Sequence, residues 1–405
     1  MLFHTVPMPD KYCLILLAVI LAGCSTTGLK RNIEGEVPVQ KAMAQIPEDQ
    51  LLDVWIELFD AGELPENKED VSGLSMDIRN AEARYMPEQL RHTVEKTGYW
   101  GAVRVVPQGT EGSEVLVRGK ILVSDGENLE LEISALDASE RVWFTNTYKS
   151  EATVESYRAT ELAQRNVFQS LYNSIANDLA NYRNSLQAEE IVAIRRIAAL
   201  RFAADIAPDP FANYLQRDDS GDFAILRLPA DNDPMYQRVN AIRERDYLLI
   251  DTLNGHFNNF YREMQNPYGE WRRVRTEEVT ALREIKSQAT RRKVLGAAAI
   301  LGAIALEVFG GRNTRASTGT LRSIMVVGGA YAIKTGFDKD SETGIHRDAI
   351  QELGESFAAE TRPLVVEVEG ETHELTGSAE AQYAEWRTLL KRIYASETGL
   401  TNSAD

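Results

Sequence analysis

Residues 115–150, VLVRGKILVSDGENLELEISALDASERVWFTNTYKS, decide the fold. Val115, Val117, Gly119, Ile121 and Val123 share one side of an extended chain, and so do Leu129, Leu131, Ile133 and Ala135. A period of two with charge on the other side marks strands with one buried face. Asp125-Gly126 supplies the first turn and Asp137-Ala138-Ser139 the second, with Val142–Tyr148 as the third strand. Turning both apolar sets to one side requires Ile121 opposite Leu131, through a loop with an odd number of residues. The same register puts Lys120 across from Glu132 on the solvent face.

Upstream, Val54–Phe59 (VWIELF) and Val103–Val106 read as strands. Between them Pro87 is expected to open a helix with Leu90 and Val94 on one face, ending at Gly98. Downstream, Phe168, Leu171, Ile175, Leu179, Tyr182 and Leu186 step by three or four, so a helix lies on the sheet. Residues 50–186 therefore predict an α+β domain.

Residues 187–293 read as helical. Ile191, Ile194, Ala198 and Phe202 mark one helix, stopped before Pro208. Met235, Val239, Ile242, Leu249, Leu253, Phe257, Phe260 and Met264 mark a longer one. Asn266-Pro267-Tyr268-Gly269 is expected to break it into an antiparallel hairpin, with Phe257, Phe260, Tyr261, Tyr268 and Trp271 at the bend. That cluster reads first as a packed helix–helix corner and second as a partner or glycan surface.

Residues 294–337 hold two apolar runs rich in Gly and Ala. Ala298 and Gly302, and then Gly328, Ala332 and Gly336, place small residues four apart, which lets two helix backbones approach closely. Each run is shorter than the ~20 residues of a membrane span, and each carries a charge, Glu307 or Lys334. A buried helical hairpin of glycine-zipper type is expected. An oligomerisation zipper and a membrane-touching hairpin are the alternatives. Residues 338–405 predict a helix, a hairpin turned at Gly370-Glu371 with Val366 opposite Leu375, and a last helix capped by Ser378. The fold class is thus α+β. A mixed sheet-and-helix sandwich precedes a mainly helical region, the Gly/Ala hairpin and a small C-terminal ββα unit.

The N-terminus carries an address. Tyr12–Ala22 (YCLILLAVILA) is an apolar run of signal-peptide length, closed by Leu21-Ala22-Gly23-Cys24. This resembles the lipobox of bacterial lipoproteins. The resemblance implies a signal peptide over 1–23, cleavage before Cys24, and a diacylglyceryl and an acyl chain on that residue. Ser25, in place of the aspartate that retains lipoproteins at the inner membrane, implies the outer membrane. Residues 24–49 then read as lipidated Cys and tether, with ~20 extended residues reaching at most ~70 Å. The element order over 50–186 is similar to the periplasmic domain shared by curli-secretion pore lipoproteins, the N-terminal domain of TolB and lipoprotein activators of peptidoglycan synthases. No binding residue of those families carries over.

Charge agrees with this setting. The 405 residues hold 44 basic and 61 acidic side chains, net −17, which argues against a nucleic-acid partner. The basic exception is 267–322, with 11 basic and 5 acidic residues flanking the first apolar run. It suits an anionic lipid surface or an acidic neighbour. No catalytic constellation stands out. The five histidines form no HExxH, and no G-x-S-x-G or P-loop occurs. No cofactor or metal is expected. The expectation is a non-enzymatic, outer-membrane-anchored, periplasm-facing lipoprotein. It would act as an assembly, scaffold or accessory part of an envelope complex, with an envelope protein or a second copy as partner. The alternatives are a peptidoglycan- or glycan-associated enzyme with a non-contiguous carboxylate site, and a membrane-interacting or pore-associated protein acting through 294–337.

Overall fold

The computed structural model describes residues 28–64, 74–162, 166–230, 232–309, 348, 351–352, 364–368 and 371–399. The chain runs β1 (Lys30–Ile33), β2 (Val54–Glu57), α1 (Met76–Glu95), β3 (Val103–Val106), β4 (Val115–Ser124), β5 (Asn128–Asp137) and β6 (Val142–Glu151). Then come α2 (Val154–Leu162), α3 (Gln169–Ser185), α4 (Ala188–Ile206), a single turn at Pro208–Phe211, β7 (Leu215–Arg217) and β8 (Phe223–Ile225). Next are α5 (Pro234–Phe309), β9 (Leu364–Val368), β10 (Glu371–Leu375) and α6 (Ala379–Thr398). The fold is α+β.

The 115–150 stretch forms three antiparallel strands in the expected register, Ile121 opposite Leu131 and Lys120 opposite Glu132. Asp125 closes the first turn by accepting the N–H groups of Glu127 and Asn128. One detail differs. The register shifts between Ile121 and Val123, so Val123 faces Glu130 and the next buried side chain is Ser124. An inserted residue swaps the faces of everything beyond it. The six-stranded sheet has the order β1-β6-β5-β4-β2-β3, with β2 parallel to both β3 and β4.

The segment read as a tether is part of the sheet from Lys30. β1 pairs in parallel with β6, Lys30 beside Thr147 and Ile33 beside Ser150. Beyond it, Val37 donates its N–H to Ser170 Oγ, and Asn173 and Asn177 of α3 donate to the carbonyls of Val37 and Pro38. Polar side chains on a neighbouring helix hold this polar strand down, and no apolar periodicity announces it.

Pro87 does not open α1. It sits inside a helix that starts at Met76, capped by Ser75, whose side chain accepts from Ile78 N–H. A proline has no N–H to give the carbonyl four residues back. Here that carbonyl, on Ala83, accepts instead from Phe59 N–H at the end of β2, at 2.9 Å. Gly98 does end the helix, with φ +72.

Nor does Pro267 break the long helix. α5 is continuous over 76 residues, so no antiparallel hairpin forms at 266–269. Proline's fixed φ is compatible with helix, and tertiary packing of Tyr268 and Trp271, both buried, offsets the lost hydrogen bond. The aromatics expected at a bend are buried without one: Phe260, Tyr261, Tyr268 and Trp271 join the core part that includes α1, and Phe257 joins the other. The C-terminal hairpin pairs Val366 with His373 and Leu364 with Leu375, and the expected turn at Gly370-Glu371 falls partly outside the described residues. The register is two residues from the expected one. Ser378 caps α6, accepting from Ala381 N–H.

The core has two parts, one on each face of the sheet. Leu131, Ile133 and Tyr148 pack with Leu90 and Val94 of α1 and Leu171, Ile175 and Leu179 of α3. Trp55, Val105 and Leu116 pack with Phe202 of α4, Val239, Leu253 and Phe257 of α5, and Trp386 and Leu390 of α6. α5 belongs to both parts, because Phe260, Met264, Tyr268 and Trp271 join the first. It passes the β3 edge between them, where Asn254 Oδ1 accepts Val105 N–H at 2.9 Å. An edge strand is thereby covered.

Candidate functional site

Two buried polar clusters hold α5 to the rest of the molecule. The first begins on α1. Arg79, Glu82, Met86 and Gln89 recur every three or four residues, so one face meets α5. Tyr85 stacks on Tyr261 at 4.8 Å and meets Tyr268 edge-on at 4.9 Å. Tyr261 Oη donates to Gln89 Oε1 at 2.7 Å. Glu82 is fully buried, and its Oε1 accepts from Tyr268 Oη at 2.7 Å and from Ser124 Oγ at 2.5 Å. Its Oε2 faces Arg79 Nε at 3.8 Å. Arg272, four residues after Tyr268, lies 4.3 Å from that ring's centroid and 5.5 Å from Phe168's.

Burial pushes the Glu82 carboxyl above its ordinary value, against the pull of Arg79 and the two hydroxyl donors. Burial, then the nearby Glu82, also raises the Tyr268 phenol far above its ordinary range, so it stays a neutral donor. A serine beside a carboxylate resembles a nucleophile and its base, but Ser124 is buried as deeply as its partner. The arrangement clamps α1, the β4–β5 hairpin and α5 together. Gly126 sits at the same seam: a Cβ there would lie 2.9 Å from the Arg272 carbonyl oxygen.

The second cluster joins α4, α5 and α6. Asp246 is fully buried, and its Oδ2 accepts from Arg387 Nη1 at 3.3 Å and Tyr383 Oη at 3.4 Å. Arg387 also pairs with Asp205, which takes Lys391 Nζ at 2.7 Å. Arg387 lies over the Phe202 ring at 4.6 Å. A buried charge is tolerated only when paired, and this cluster pairs two acids with two cations.

No protein-family model, curated protein or solved structure matches this chain.

Of the residues singled out from sequence, Cys24, Gly328, Ala332 and Gly336 lie outside the described residues. Ala298 and Gly302 lie in the last four turns of α5, described as backbone. The second half of the 294–337 hairpin is likewise outside. The basic island divides. Arg272 and Arg275 are buried, and Arg273 pairs with Glu270 and Glu277, so these three serve the fold. From Arg283 onward the side chains are not described. Among the described residues, no group of three His, Cys, Asp or Glu side chains is placed to hold a metal, and no helix is long and apolar enough to cross a membrane.

Sequence reasoning missed Arg79, Glu82, Asp246 and Arg387. One signal was readable: Ser75 followed by Asp77 in a first turn is a helix start, twelve residues before Pro87. The two acids had none, because charged residues on helices point to water by default.

Proposed function

We propose that this protein is an outer-membrane lipoprotein anchored through Cys24, facing the periplasm, and serving as a non-enzymatic scaffold or accessory part of an envelope complex. The lipobox, Leu21-Ala22-Gly23-Cys24 after an apolar core, supports the anchor. β1 begins six residues after Cys24, which keeps the body close to the lipid. The observation that carries the scaffold reading is α5. At 1.5 Å per residue its 76 residues run about 114 Å. It starts in the core and continues through the basic segment into the Gly/Ala-rich run, which suits a rod that presents a contact surface to a partner.

The test is twofold. Cys24→Ser should move the protein out of the outer-membrane fraction, and the native chain extracted in mild detergent should run in a complex. An unchanged fraction overturns the anchor. A monomer without partners overturns the assembly role.

A second reading is favoured by the order of residues on α5: Arg291-Arg292-Lys293 directly precede the apolar run 294–309. A helix that is basic and then apolar suits insertion into one leaflet of an anionic membrane. Binding of the unlipidated chain to anionic vesicles, lost on deleting 294–337, would support it, and unchanged binding would refute it.

A further inference from the structure

β1 is an edge strand. β6 lies on one side of it, and among the described residues no strand lies on the other. Thr147 donates its N–H to the Leu29 carbonyl, which fixes the phase of the ladder. Alternate residues of a paired strand bond to the neighbour, so Leu29, Arg31 and Ile33 turn their backbone groups to β6. Lys30 and Asn32 turn theirs outward. Glu34 is next in that phase, one residue before the turn at Gly35, whose φ is +73. Lys30, Arg31, Asn32 and Glu34 are exposed and Ile33 is half-buried. At the other edge of the sheet, Asn254 of α5 covers β3. The β1 edge thus offers open donors and acceptors that a further strand can complete.

The segment Lys30-Arg31-Asn32-Ile33-Glu34 is complementary to its own reverse. Two copies can run antiparallel about a two-fold axis at Asn32. Each Asn32 then faces the other, Lys30 faces Glu34 of the second copy, and Arg31 faces Ile33 of the second copy. The outward backbone groups of 30, 32 and 34 fall opposite one another, as hydrogen-bonded pairs require. An axis at Arg31 would set two guanidinium groups face to face, and like charges directly opposite destabilise. An axis further along runs into the turn at Gly35. The axis at Asn32 makes two Lys–Glu pairs instead. It also spares the contacts within each chain. Lys30 keeps Glu130 at 2.9 Å, and Arg31 keeps Asp178 at 2.9 Å. Ile33 already packs against the core, and the methylenes of the facing Arg31 cover its open side.

We infer that the β1 edge is an interface between two copies of this chain, joined antiparallel over Lys30–Glu34 into one continuous sheet. The inference rests on the assembly reading above and names its partner as a second copy. Four residues of edge pair weakly by themselves. Two anchored chains share a leaflet, and that confinement raises their effective concentration. β1 begins six residues after Cys24, and ~20 Å of extended chain lets both lipids enter one leaflet with the two-fold axis normal to it.

The experiment is thiol cross-linking of the full chain in its membranes. Asn32→Cys puts two thiols across the axis, with Cα atoms about 5.5 Å apart, which is within disulfide reach. Mild oxidation should link Asn32→Cys into a dimer at least tenfold more than the native chain or Ser220→Cys in an exposed loop. Lys30→Cys and Glu34→Cys should link to each other when co-expressed and far less when expressed alone, which reads the register. Asn32→Pro removes an N–H that β6 does not use, so circular dichroism should stay unchanged while the mass in mild detergent falls from dimer to monomer. Glu34→Lys should weaken the dimer about tenfold, and adding Lys30→Glu should restore it. Asn32→Cys linking no better than Ser220→Cys in the membrane fraction overturns the interface. A complex whose mass is unchanged by Asn32→Pro also overturns it and leaves the assembly role standing, whereas a native monomer without partners overturns both. If the chain is absent from the membrane fraction, the anchor fails by itself. A dimer at high concentration that Asn32→Pro abolishes then supports the interface, and a native monomer there overturns it.

Discussion

Asp246 couples the fold to pH. Burial is the main cause that raises its pKa from 3.8 to about 6, opposed chiefly by Arg387. The folded carboxyl therefore takes up its proton before the unfolded one does as pH falls. The stability linked to this group is full below about pH 4 and is lost as pH rises through about 6. A shift of ~2 units corresponds to about 3 kcal/mol. Urea denaturation between pH 4 and 7 should show the native chain losing ~2–3 kcal/mol more than Asp246→Asn, and equal slopes would contradict this. Glu82 shifts in the same direction and adds to the trend. Gly126 is the second sensitive residue. Its φ of +92 and the 2.9 Å approach to the Arg272 carbonyl leave no room for a side chain. Gly126→Ala should cost about 1–3 kcal/mol in thermal denaturation, and an unchanged melting temperature would show that α5 yields there.

At the scale of elements, β1 depends on one buried carboxylate. Asp178 of α3 accepts from Tyr148 Oη at 2.6 Å and Asn146 Nδ2 at 3.3 Å, and pairs with Arg31 Nε at 2.9 Å. Asp178→Ala leaves those donors unmet and should cost about 1–3 kcal/mol. It should also speed hydrogen exchange at residues 30–33 selectively. Uniform change across the sheet would mean that β1 is held by other means. The same element shows why the sequence was only partly legible. β4 and β5 declare themselves because alternate residues are buried and charged. β1, Lys-Arg-Asn-Ile, has three exposed side chains and one half-buried, so no period two marks it. The first half of α1 is hidden for the opposite reason: it buries Arg79 and Glu82, which pattern reading assigns to water. Pro267 misleads because its helical cost is local while the packing of Tyr268 is not.

At the scale of the whole molecule, α5 sets the plan. Its first 43 residues pass from one part of the core to the other, and the rest continues beyond Thr276. If the Gly/Ala-rich run mediates assembly, deleting 294–337 should leave the melting transition of the body unchanged and lower the native mass to that of a monomer. A persisting complex would place the contact on the body instead.

The bond between Phe59 and Ala83 has a further consequence. Along an ordinary helix every interior carbonyl is occupied and all turns look alike to a neighbour, so a helix can slide by one turn without losing a bond. Proline at 87 marks one turn as different. Only there does α1 offer a vacant acceptor, and only the amide leaving β2 fills it. Helix and strand are keyed at a single position, which sets how far along the sheet Glu82 sits, and with it the place where Tyr268 can dock.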